Sequence, residues 1–153
     1  MNETQCGLPD YNPPTEEIKE ILTRCKKIAV VGLSPKEDRD SHKVAKYLAE
    51  QGYEIVPVNP GQKEILGAKC YKTVKDIPFK VDMVDLFLNV SRVPPVANLA
   101  MEIGVQVIWM QLGICHNESA KKARDAGITV VMNKCVKQEH EKMLNAGTSP
   151  GQS

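Results

Sequence analysis

The chain has 153 residues, 42% of them hydrophobic, with 20 basic residues against 19 acidic ones. That length suits one domain, and that apolar share can cover a sheet on both faces. A net charge of +1 excludes a whole-molecule pull toward nucleic acid or an anionic membrane, so any anion site must be local.

No run of ~18 apolar residues is present to span a membrane. The start, Met1 to Pro9, lacks the basic and apolar stretches of a secretory signal. Five cysteines (Cys6, Cys25, Cys70, Cys115 and Cys135) are scattered, and none forms a C-x-x-C pair. They read as reduced thiols of a cytoplasmic protein rather than a disulfide framework or a zinc finger.

Residues 1–14 read as an irregular lead-in rich in turn formers. Pro13-Pro14-Thr15 opens a helix in which Thr15 is the expected cap and Ile18, Ile21, Leu22 and Cys25 share a face. Ile28 to Gly32 is a continuous apolar run, the pattern of a strand buried on both faces. A polar loop runs from Leu33 to Asp40. Ser41 then caps a helix whose Val44, Tyr47 and Leu48 share a face and which Gly52 ends.

Tyr53 to Val58 is the second strand, closed by Asn59-Pro60-Gly61. Lys63 to Pro78 is the least regular stretch, with a short strand and turn near Gly67 to Tyr71. Asp82 to Val90 is the third strand. Pro94-Pro95 starts a helix that ends at Gly104, and Val105 to Met110 is the fourth strand. Asn117-Glu118-Ser119 matches a glycosylation sequon but reads as the cap of a helix ending at Gly127. Ile128 to Met132 is the fifth strand, Val136 to Leu144 a last helix, and 145–153 a loose tail.

Alternating strands and helices predict an α/β, Rossmann-like single domain over residues 15–144. The sheet is expected to be five-stranded and parallel, in the order 3-2-1-4-5, with helices on both faces. In such sheets a ligand lies beyond the carboxyl ends of the strands, near the switch in strand order. The site candidates are therefore Gly32-Leu33-Ser34-Pro35, Asn59-Pro60-Gly61, Asn89-Val90-Ser91-Arg92 and Gln111-Leu112-Gly113.

The first loop leads into the helix near Ser41, where free N–H groups and the helix dipole suit an anion. Lys36, Arg39 and Lys43 add positive charge, which favours a phosphate or pyrophosphate. A G-x-G-x-x-G fingerprint is absent after Gly32, and Val58-Asn59-Pro60 stands where an NAD site has an acidic residue. No G-x-x-x-x-G-K-[ST] loop exists either.

Several segments in order carry a resemblance. They are Gly32-Leu33-Ser34-Pro35, Arg39-Asp40-Ser41, Val44 to Leu48, Val56 to Pro60, Val107 to Gly113, and Val131 to Cys135 through Glu139-His140. Together they resemble the stand-alone coenzyme A (CoA)-binding proteins, which are similar to the N-terminal domain of the succinyl-CoA synthetase alpha subunit. The resemblance implies CoA across the top of the sheet. Gly32, Leu33, Ser34, Pro35, Lys36, Arg39 and Ser41 would hold the pyrophosphate. Asn59, Pro60, Asn89, Ser91, Arg92 and Val93 would flank the adenosine, and Trp109, Gln111 and Gly113 would lie along the pantetheine. Arg39, Arg92 or a nearby lysine would pair with the 3′-phosphate. Pro35 and the charges after Ser34 depart from the G-x-T-G type of loop, so the backbone path around the pyrophosphate is open.

No catalytic residue or metal-ligand cluster stands out. The synthetases need a phosphorylated histidine in a second domain. Here His42 reads as a solvated first-turn residue, His116 as a poor partner for Cys115, and His140 as part of an ion pair. Cys135, just past the fifth strand, is either a small buried residue or a thiol that meets the CoA thiol. The chain is expected to be a carrier, sensing or regulatory module for CoA or acyl-CoA. The alternatives are a small NAD(P)-linked oxidoreductase and a non-catalytic subunit of an acyl-CoA synthetase complex. The partners implied are a second copy of the chain or a synthetase-type protein.

Overall fold

The computed structural model describes residues 8–147; Cys6 and the tail beyond 147 lie outside the described residues. In chain order the elements are helix α1 (Thr15–Arg24), strand β1 (Lys27–Val31), α2 (Asp40–Glu50), β2 (Glu54–Val58), a short antiparallel pair β3 (Glu64–Ile65) and β4 (Ala68–Lys69), β5 (Met83–Leu86), α3 (Val93–Ile103), β6 (Val107–Met110), α4 (Asn117–Asp125), β7 (Thr129–Val131) and α5 (Val136–Gly147). Single 3-10 turns at Val74–Asp76 and Val90–Arg92 precede β5 and α3.

The main sheet is parallel and five-stranded, as expected, in the order β2-β1-β5-β6-β7. The expected 3-2-1-4-5 differs in numbering. The place outside β2 that it gave to a third strand is taken by the segment at Tyr71, which makes a single parallel bridge with Val58. The strand opening at Met83 lies on the other side of β1. All four residues of β5 are buried, as in a strand covered on both faces.

The two faces are sorted by the period-2 alternation of strand side chains. Ile28, Val30, Ile55, Met83, Val107, Trp109 and Val131 meet the apolar sides of α1, α2 and α5. Ala29, Val31, Val56, Val84, Leu86, Ile108 and Val130 meet α3 and α4. Burying Ile18, Ile21 and Leu22 alone fixes α1, at roughly 1.5–3 kcal/mol per side chain.

Each sheet edge is covered in part. Pro57 fits β2 because β2 is an edge strand, where a missing donor is tolerated. Outside it, the Tyr71 N–H donates to the Pro57 carbonyl (3.0 Å) and the Tyr71 carbonyl accepts from the Asn59 N–H (2.9 Å). At the far edge, the Asn12 side chain imitates a strand. Its Nδ2 donates to the Met132 carbonyl (2.9 Å) and its Oδ1 accepts the Met132 N–H (2.8 Å).

The expected caps moved by one or two residues. Thr15 is the first residue of α1 rather than its cap, and the N-cap is Pro14. Arg39, not Ser41, is the N-cap of α2, with no side-chain cap bond. His116 Nδ1 accepts the Ser119 N–H (3.1 Å) and caps α4, while Asn117 bonds the lead-in at Leu8 and Asp10. A ring nitrogen accepts such a bond as well as a carboxamide oxygen does, so the capping pattern alone does not separate the two neighbours.

Candidate functional site

Strand order reverses between β1 and β5: the chain leaves β1 toward β2, then returns to build outward from β5. The loops after these two strands diverge and leave a crevice between them. At its head stands Gly32, with φ +85°. The Gly32 N–H donates to the Val58 carbonyl (3.0 Å), and the Phe87 N–H donates to the Val31 carbonyl (2.9 Å). The end of β1 is thus pinned to both neighbours.

The loop from Gly32 to Arg39 is built by its own polar groups. Ser41 Oγ accepts the Ser34 N–H (3.0 Å), Ser34 Oγ accepts the Lys36 N–H (3.1 Å), and His42 Nδ1 lies 2.9 Å from the Ser34 carbonyl oxygen. Asn59 Nδ2 donates to the Leu33 carbonyl (3.0 Å), while Asn59 Oδ1 accepts the Gly61 N–H (2.8 Å). Asn59 therefore fastens the loop after β1 to the loop after β2.

Three cleft segments run along this edge and share walls. A hollow of about 290 Å³ is bounded by Gly32, Ser34, Arg39, Asp40, Ser41 and Phe87. Since Arg39 gives no side-chain cap, the first-turn N–H groups of α2 supply partial positive charge there. Asp40 opposes an anion, and Arg39 with nearby Lys43 outweighs it. The second segment, about 320 Å³, shares Gly32 and lies between β1, β2 and α3, with Asn59, Pro60, Lys72, Thr73 and Arg92 in its wall. The third, about 540 Å³, shares Asp40 and Phe87 with the first and Leu88 with the second. Its walls include the apolar Val44, Leu88 and Ile114, together with Gln111, Cys135 and Lys137.

Of the residues expected from the sequence, Gly32, Ser34, Arg39, Ser41, Asn59, Pro60, Arg92 and Gln111 line these segments. Asn89 and Ser91 do not line them. Asn89 Oδ1 accepts from the Ser91 N–H (3.0 Å) and hydroxyl (2.9 Å), and so builds the turn that carries Arg92. Pro35 and Lys36 are on the exposed outer part of the loop. Gly113 (φ +83°) donates its N–H to Asn133 Oδ1 (2.8 Å) and shapes the rim.

Leu33, Val93 and Trp109 are fully buried and belong to the core. The Trp109 indole N–H donates to the Lys134 carbonyl (2.8 Å), so its ring is committed to the interior and is not a cleft wall. Trp109 lies within β6, all four of whose residues are buried; Leu33 belongs to the core shared with α1 and α2, and Val93 to the core shared with α4. His42 is buried rather than solvated. His140 has Tyr47, not a carboxylate, as its hydrogen-bond partner, with Nδ1 and the Tyr47 hydroxyl 2.8 Å apart. Burial holds the His140 imidazole below its ordinary value.

Sequence reasoning missed Phe87 and Leu88, which lie two and one residues before Asn89, and Lys72 and Thr73, which lie in the irregular stretch after β4. It also missed Asp85. This aspartate stands in an otherwise apolar central strand, between Val30 and Trp109 in the register. Its Oδ1 accepts from Gln111 Nε2 at 2.5 Å, and its Oδ2 is buried with no partner. Loss of hydration pushes its carboxyl up to about 7, against a smaller opposing effect of the Gln111 bond. An acidic residue inside Met83-Val84-Asp85-Leu86 is a signal legible in the sequence.

The strand-switch crevice, the glycine-headed loop and the cation-bearing rim define an α/β domain of the nucleotide-binding class. Over residues 26–141 the chain matches the CoA binding domain, and it belongs to that family. It is 43% identical over 129 residues to the uncharacterized protein YneT of Bacillus subtilis, covering 84% of this chain and 96% of that one. It is 39% identical over 95 residues to the alpha subunit of an ADP-forming acetate–CoA ligase of Pyrococcus furiosus. That match covers 58% of this chain and 21% of the subunit, so the chain spans about a fifth of that relative. Among solved structures it resembles a hypothetical protein from Pyrococcus horikoshii, with TM-score 0.85 and 46% identity, covering 90% of this chain and 97% of that one.

Proposed function

We propose that the protein binds coenzyme A in an extended form along the carboxyl edge of the sheet. The observation that carries this reading is the continuity of three cleft segments whose chemistry changes in the order the cofactor requires. The diphosphate lies at the Gly32–Ser41 loop and the start of α2, beside Arg39. The adenosine enters the segment walled by Asn59, Pro60 and Leu99, with Arg92 and Lys72 placed for the 3′-phosphate. A guanidinium meets phosphate oxygens by two parallel bonds, which favours Arg92 for that role. The pantetheine arm follows the largest segment toward Cys135. Its apolar walls suit the arm's methyl groups and methylenes.

The role is that of a CoA or acyl-CoA carrier, sensor or regulator. Val58-Asn59-Pro60 offers no carboxylate to a ribose diol, which counts against the nicotinamide alternative. Isothermal titration with CoA, dephospho-CoA, NAD and ATP tests the reading. Binding in the order CoA, then dephospho-CoA, with NAD and ATP weaker, is expected. Preference for NAD would replace it. A second reading, association with a synthetase-type partner, draws on the likeness to the ligase alpha subunit. Co-purification with an ATP-binding synthetase subunit would support it.

A further inference from the structure

Asp85 has no evident structural use. It occupies a strand position between Val30 and Trp109, where an apolar side chain would pack, and it leaves one carboxyl oxygen buried without a partner. An orphaned buried polar atom is unfavourable by about 1–3 kcal/mol, more if charged. Its one hydrogen bond goes to Gln111, a residue 3% exposed that forms part of the wall of the largest cleft segment.

We infer that Asp85 is a positioning residue: it fixes which end of the Gln111 amide meets the cleft, so that Gln111 offers a hydrogen-bond acceptor to an N–H group of the ligand. This rests on the CoA-binding reading, in which that group is an amide N–H of the pantetheine arm. The reasoning follows from the donor inventory. A primary amide has a donor end and an acceptor end, and an ionised carboxylate only accepts. With Nε2 bound to Asp85 Oδ1, the NH2 end is turned into the sheet. Oε1, the other end of the same planar group, is left for the cleft, and no protein donor to it is recorded among the described residues. Phe87, Leu88 and Ile114 in the same wall are apolar; the other acceptor side chains of the segment are those of Asp40 and Gln138. Asparagine at position 85 would keep an oxygen for Gln111 Nε2, whereas leucine removes the acceptor, and the Gln111 NH2 then turns outward, opposite the ligand's N–H.

The test titrates CoA and adenosine 3′,5′-bisphosphate, which lacks the pantetheine arm, into the wild type, Asp85→Leu, Gln111→Met and the double variant. Titrations are run above the Asp85 carboxyl's titration. Both single variants should bind CoA about five- to tenfold more weakly, the worth of one hydrogen bond, and bind the bisphosphate as the wild type does. In the Gln111→Met background, Asp85→Leu should cost nothing further. The side-chain amide resonance of Gln111 should shift in Asp85→Leu. Gln111→Met supplies the measurement if Asp85→Leu does not fold. Unchanged CoA affinity with bisphosphate binding intact overturns the inference. So does a loss from Asp85→Leu that persists in full without Gln111. If the wild type takes neither ligand, the CoA reading itself fails, and the inference with it.

Discussion

A Cβ placed on Gly32 would lie 2.1 Å from the Phe87 carbonyl oxygen. The two strands that flank the strand-order reversal thus approach so closely that only a hydrogen fits between them. Gly32 also holds φ +85°, a conformation that L side chains rarely adopt. Gly32→Ala therefore combines backbone strain with a clash against backbone that cannot rotate away. We expect a loss of roughly 2–4 kcal/mol in unfolding free energy and a matching loss of ligand affinity. Gly104→Ala is the control: φ is +70° there, but open space surrounds the added methyl. It should cost about 1 kcal/mol. Equal midpoints for the two variants in urea would show that the approach at Gly32 is relaxed in solution.

The two arginines of the cleft should separate by ligand. Arg92→Ala is expected to lower CoA affinity about tenfold and leave dephospho-CoA unchanged, since only CoA carries the 3′-phosphate. Arg39→Ala should weaken both ligands, by roughly 1–3 kcal/mol. Calorimetry at one fixed ionic strength makes the comparison, because screening alters both. Equal losses for both ligands in Arg92→Ala would move the 3′-phosphate elsewhere, with Lys72 the next candidate.

The buried carboxyl of Asp85 makes stability depend on pH. An unfolded aspartate titrates near 3.8, and the folded one at about 7. Between those values the native chain holds a proton that the unfolded chain has released. Stability from this group is therefore complete below 3.8, falls as pH rises through the window, and levels off above about 7. Asp85→Asn lacks the titration. Its stability relative to the wild type should grow across the window by on the order of a few kcal/mol. Thermal midpoints of both proteins across that range check it, and a constant difference between them would refute the elevated titration.

Among the four cysteines of the described residues, labelling should single out one thiol. Among the described residues, Cys25, Cys70 and Cys115 are buried, and burial pushes the Cys25 thiol up to about 11. Cys135 is half-buried and lines the largest cleft segment. A maleimide should modify Cys135 well before those three, and CoA should slow that reaction. Peptide mass mapping reads the order. The same mapping on protein isolated without reductant shows whether a CoA-sized adduct forms on this thiol.

Much of the fold was legible because its periodicities are strong. The β1 run Ile28-Ala29-Val30-Val31 and the glycines after α2, α3 and α4 place strands and helix ends without ambiguity. The site was legible to the level of loops, since the strand ends of a parallel sheet must hold it. Which side chain of each loop faces the cleft was not legible for Leu33, Val93 and Trp109, because a half-turn of chain decides it and composition does not. Phe87 and Leu88 were read as strand because they are apolar, although the ladder ends at Leu86. Sheet order turned on Tyr71, whose single bridge outside β2 has no run of residues to announce it.

The carboxamide of Asn12 holds both backbone groups of Met132 at the outer margin of the sheet. Trimming the chain to begin at Thr15 would strip that pairing and free the Met132 amide and carbonyl just past β7. Freed edge groups are a template for another copy of the same chain to add a strand. The shortened protein should then grow into larger species with concentration, as light scattering would register, while the untrimmed one keeps its size. The lead-in thus withholds the end of that strand from pairing with a neighbouring molecule.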